Sequence, residues 1–145
     1  MHHIGLELTL FRRDERGRSI EADRLRSERS LVRFLRALTL HNVDLMREYG
    51  APPLYAAGVR YQREEPKMEM WRDVRYVLEH GHGDCEDLAA YLAAQYVLAG
   101  DRRARPVIRG RWRDDKWTYH VVVRRGDGRI EDPSRRLGMN ARAFA

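Results

Sequence analysis

A chain of 145 residues with 43% apolar side chains can bury a core without staples, and its size predicts one domain over residues 1–145. Its one cysteine, Cys85, excludes an internal disulfide, and no apolar run nears the ~20 residues of a membrane span. The formal charge of +6 rests almost wholly on arginines interleaved with acids rather than gathered with aromatics, so no nucleic-acid partner is expected.

In chain order, Ile4, Leu6, Leu8 and Leu10 alternate with Gly5, Glu7 and Thr9 and predict a half-buried strand. A charged stretch containing Gly17 then reads as a turn leading to a short strand around Ile20. From Ser27, residues Leu31, Phe34, Leu35, Leu38, Leu45, Met46 and Tyr49 recur at helical spacing up to Gly50, with His41-Asn42 as the place where the helix would bend or split. Ala51-Pro52-Pro53 ends it, and a loop leads to a short extended segment over 59–62. Met70, Val74, Val77 and Leu78 predict a short helix that stops at Gly81. Asp84 is placed to cap the next helix, with Asp87 completing a capping box and Leu88, Ala89, Tyr91, Leu92 and Tyr96 as its buried face. Strands over 104–112, 116–125 and 129–132 follow as a meander, joined by Arg113-Asp114-Asp115 and Gly126-Asp127-Gly128.

The chemistry gathers in three of these segments. Gly81-His82-Gly83-Asp84-Cys85-Glu86-Asp87 brings a lone thiol to a helix start, where unpaired N–H groups and the macrodipole favour thiolate. Glu86 and Asp87 read as helix-start charges that work against it. Tyr119-His120-Val121-Val122-Val123 sets a histidine on an apolar strand, and Glu131-Asp132-Pro133-Ser134 sets an aspartate at a strand end. Cysteine, histidine and aspartate are the parts of a thiol acyl-transfer triad. Register makes the idea testable. If Gly126-Asp127-Gly128 is a three-residue loop, Arg125 faces Arg129 and Asp132 falls opposite Val122, diagonal from His120 on one face.

Gly-Asp-Cys-Glu-Asp-Leu-Ala at 83–89, Tyr-His-Val-Val-Val at 119–123 and Glu-Asp-Pro-Ser at 131–134 resemble the nucleophile helix, histidine strand and aspartate strand of transglutaminase-like members of the papain-like cysteine enzymes. The likeness spans about 59–139 and is nearest to the compact bacterial and phage forms. It implies an α+β fold with the nucleophile helix packed on an antiparallel β-sheet. It also implies Cys85 as nucleophile, His120 as general base and acid, and Asp132 as the group that orients His120. Papain-like enzymes use an upstream glutamine at the oxyanion, which makes Gln62 the candidate donor here, with Tyr61 and Trp71 as alternatives. The reaction implied is hydrolysis of a peptide or isopeptide bond through a thioester, without a cofactor or metal. The substrate would be a peptide or protein, a phage virion or host protein could be the partner, and the location would be cytoplasm or virion.

Two other readings stand beside this one. His80-Gly81-His82-Gly83-Asp84 has the His-x-His-x-Asp spacing of zinc hydrolases, so His80, His82 and Asp84 could hold a metal. The same fold could also serve as a non-catalytic virion-structural or binding module.

Overall fold

The computed structural model describes residues 21–65, 70–113 and 116–140. The strands expected over 4–10 and around Ile20 lie outside the described residues. Helix α1 (Glu21–Tyr49) begins earlier than the Ser27 start expected and runs on through His41-Asn42. The reason is that Asn42 faces inward, and its Oδ1 accepts the N–H of Val74 at 2.9 Å. Leu31, Leu35, Val43 and Met46 bury the same side of the helix.

After a 3-10 turn at Leu54–Ala56, strand β1 (Arg60–Tyr61) pairs in parallel with β2 (His82–Gly83), Tyr61 opposite Gly83. Between them lies α2 (Val74–His80). It starts later than the spacing suggested because Asp73 caps it, accepting from Tyr76 N–H at 3.0 Å. Gly81, at φ 72°, closes it in the left-handed conformation that glycine adopts without strain.

Helix α3 (Cys85–Leu98) was expected to bury one face. Instead every residue from Cys85 to Ala94 is buried, because α3 runs between α1 and the sheet. The sheet is an antiparallel meander of β3 (Arg105–Arg113), β4 (Lys116–Arg124) and β5 (Ile130–Glu131), with β4 in the middle. Val121 and Val123 of β4 share one core with Leu88 and Leu92 of α3. Burying such a side chain contributes about 1.5–3 kcal/mol. β5 ends at Glu131, one residue short of the expected strand, since Asp132 caps a helix not foreseen, α4 (Pro133–Arg136). The architecture is thus mixed α+β, with α3 packed on an antiparallel sheet. Among the described residues, no helix is long and apolar enough to cross a membrane.

Candidate functional site

The site begins with the β4–β5 turn. Arg125 N–H donates to Arg129 O at 2.8 Å and Gly128 N–H to Arg125 O at 2.9 Å, the register that a three-residue loop sets. Val123 then pairs with Glu131, and one step further Asp132 comes opposite Val122. Asp132 Oδ2 lies 2.9 Å from His120 Nε2, with side chains 21% and 5% exposed. Its other oxygen accepts Arg135 N–H at 3.2 Å, and Arg135 Nε stands 3.3 Å from Oδ2. A carboxylate only accepts, so Nε2 carries the imidazole proton and Nδ1 the basic lone pair.

Cys85 enters from α3, as its first residue, 8% exposed. In the β4–β5 ladder the odd-numbered residues from 121 to 125 turn their amides toward β5. Past Glu131 no strand receives them, and the Val121 backbone comes near enough to the Cys85 sulfur to pull its titration down. The sulfur therefore sits against the residue that follows His120. On its other side the thiol donates to Glu86 Oε2 at 3.1 Å.

These surroundings weigh against a thiolate at rest, as the acids beside Cys85 implied. Burial first, then the charges of Glu86 and Asp84, push the Cys85 thiol well above its ordinary value, and the Val121 backbone only partly opposes them. A helix-end dipole contributes about 0.3–1 kcal/mol, too little against desolvation and two acids. The thiol is neutral at rest. Glu86 is no exposed helix-start charge: it is 2% exposed, and its Oε1 has no hydrogen-bond partner. Burial, then Asp87 and Asp84, lift its carboxyl well above the usual range. Asp87 completes the expected capping box, accepting Asp84 N–H at 3.1 Å, and burial pushes it up to about 7 against the pull of two backbone donors. A signal for buried acids was present in the sequence. The run from Leu88 to Ala94 is apolar on every side of the helix, so acids in the turn before it enter the core too.

Gln62 sits at the surface. It is exposed, its Oε1 is 3.5 Å from Arg60 NH2, and it lines a polar cavity of about 180 Å³ with Arg63, Glu64, Glu65, Arg72 and His82. Alternation along β1 sends its neighbour Tyr61 the other way. The Tyr61 hydroxyl lies in the field of Asp84 and Cys85, and burial followed by those two groups raises the phenol. Of the two, Tyr61 is the one whose hydroxyl stands near Asp84 and Cys85 at the start of α3. Trp71 packs edge-on against Phe34, centroids 6.2 Å apart, as a core residue.

The metal motif is not assembled. His80 stacks on Tyr76, with centroids 3.7 Å apart, and its Nδ1 is 3.0 Å from Tyr76 O. The His82 ring is 6.3 Å from that of His80, and burial, then Arg72 and Arg60, hold it below the usual histidine range. Asp84 accepts Cys85 N–H at 2.6 Å and Glu64 N–H at 3.1 Å. Among the described residues, the one group of three whose ligand atoms lie within 4.8 Å of one another is Asp84, Cys85 and Glu86, without either histidine. No family model matches the chain, and no curated protein or solved structure does either.

Proposed function

We propose that the chain is a cysteine peptidase or amidase on a papain-like, transglutaminase-like core, working by acyl transfer through a thioester. The observation that carries this reading is the part-buried His120–Asp132 pair at 2.9 Å, with His120 on the strand whose next residue, Val121, brings its backbone near the Cys85 sulfur. Because the thiol is neutral at rest, attack is general-base assisted. His120 Nδ1 takes the thiol proton as sulfur bonds to the amide carbonyl carbon, and the carbonyl π electrons move to oxygen. Collapse expels the amine, which takes that proton from His120. Water then attacks the thioester by the same route and returns free thiol and acid. Asp132 keeps the imidazole in the required tautomer and balances its charge. The Cys85 N–H and the Tyr61 O–H serve the oxyanion. The Cys85 N–H rests on Asp84, which keeps backbone donors from Glu64 and Asp87 when that N–H turns to substrate. Loss of one such donor typically costs about 3 kcal/mol.

The test uses p-nitrophenyl acetate as acyl donor and intact-protein mass as readout. The folded chain should gain one acetyl group on Cys85 and release nitrophenol catalytically, and Cys85→Ala should do neither while keeping its circular dichroism. A folded wild-type chain whose Cys85 takes no acetyl group refutes the proposal. That outcome would favour the second reading, a non-catalytic binding module, which the burial of the sulfur under two acids supports.

A further inference from the structure

β5 has only two residues, too few for a ladder to hold its register alone. Yet the aim of Asp132 at His120 depends on that register. Glu131, the residue before Asp132, carries an unusual set of partners. Its Oε1 accepts the Tyr55 hydroxyl at 2.6 Å and its Oε2 the Tyr96 hydroxyl at 2.5 Å. Arg136 NH1 stands 3.4 Å from Oε1. The rings are held as well, with the Arg136 guanidinium 3.8 Å from the Tyr55 centroid and that of Arg125 4.2 Å from Tyr96. Burial and the Glu131 charge raise both phenols, so both remain proton donors.

These partners come from separate elements: Tyr55 from the 3-10 turn, Tyr96 from α3, Arg136 from α4, and Arg125 from the β4–β5 turn. Tyr96 lies about three turns along the helix that begins with Cys85. Alternation places the Glu131 side chain on the opposite face of β5 from Asp132, away from the imidazole. It acts on Asp132 only through the backbone they share.

We propose that Glu131 is a positioning residue for the His120–Asp132 pair: by gathering two phenols and a guanidinium beside Asp132, it fixes the end of β5 and ties it to the helix that carries Cys85. The kinetic arm of the test rests on the acyl-transfer reading; the spectroscopic arm does not. The His120 Nε2 proton is followed by nitrogen-edited NMR on the full chain, and acylation of Cys85 by p-nitrophenyl acetate is timed in parallel. In the wild type the Nε2 proton should be protected from exchange by Asp132. Glu131→Ala should lose that protection and slow acylation roughly 100-fold, as a misplacement near 1 Å does. In an Asp132→Ala background, Glu131→Ala should add nothing further, because a residue acting through Asp132 has no effect once Asp132 is gone.

Tyr96→Phe, which keeps the ring and the core, should weaken the protection without unfolding the chain. It decides the matter if Glu131→Ala fails to fold. An Nε2 signal unchanged in a folded Glu131→Ala or Tyr96→Phe chain overturns the proposal, as does a full additive loss in the double variant. If wild-type Cys85 is never acylated, the acyl-transfer reading fails while the Nε2 signal still decides on Glu131.

Discussion

Replacing Asp132 by Asn changes one atom and, by the geometry of the site, one proton. Asp132 Oδ1 accepts the N–H of Arg135 at 3.2 Å, and only an oxygen can fill that role. In Asp132→Asn the amide oxygen therefore stays at the cap and Nδ2 takes the place of Oδ2, 2.9 Å from His120 Nε2. Arg135 Nε, on a half-exposed side chain, can turn to water. An NH2 group donates, so Nε2 must accept and the imidazole proton moves to Nδ1, the atom that has to be basic. The equivalent tautomer error costs about 10⁴ in turnover where it has been isolated, which is roughly 5.5 kcal/mol at 1.36 per power of ten. Stability should fall by only about 1 kcal/mol, because the cap survives and one charged hydrogen bond becomes neutral. Acylation by p-nitrophenyl acetate reads the first quantity and urea denaturation the second. A variant that acylates at the wild-type rate, or one that loses stability in step with activity, would refute the tautomer argument.

Alkylation by iodoacetamide should be slow at neutral pH and climb about tenfold per pH unit into the alkaline range, because burial, Glu86 and Asp84 raise the thiol; a rate already flat from pH 6 would mean a preformed thiolate. Glu86→Gln removes the nearer of the two acids that raise the thiol and leaves Asp84, so its alkylation at pH 8 should be roughly tenfold faster, and an unchanged rate would remove Glu86 from the account. A Cβ at Gly83 would stand 3.0 Å from Asp87 Cβ and 3.2 Å from Val77 Cγ2, so Gly83→Ala should cost about 1–3 kcal/mol in urea denaturation, and a neutral result would show that β2 has room to move. EDTA should leave acylation untouched. Loss of activity restored by zinc would bring His80, His82 and Asp84 back as ligands.

Local rules in this chain reach as far as neighbouring residues reach. The Asp84–Asp87 capping box, the stop at Gly81 and the meander were legible because each depends on residues a few positions apart. So was the β4–β5 register, which one short loop sets. Helix α1 shows where such rules end. His41-Asn42 reads as a break by propensity, yet Asn42 is buried and serves α2 across the core. The β1–β2 pair has two residues on each strand and no periodicity to detect.

The sequence by itself determined that a single thiol opens a helix and that a histidine strand and an aspartate strand end follow it, since these are facts of order and local capping. Only the tertiary structure decided the burial that raises that thiol, because desolvation depends on α3 being enclosed along its first ten residues, from Cys85 to Ala94. It also brought the Tyr61 phenol near Asp84 and Cys85 while Gln62 stays exposed, through the way β1 lies on β2. And it placed Glu131 among Tyr55, Tyr96 and Arg136, side chains far apart in the chain that chain folding alone brings to one carboxylate.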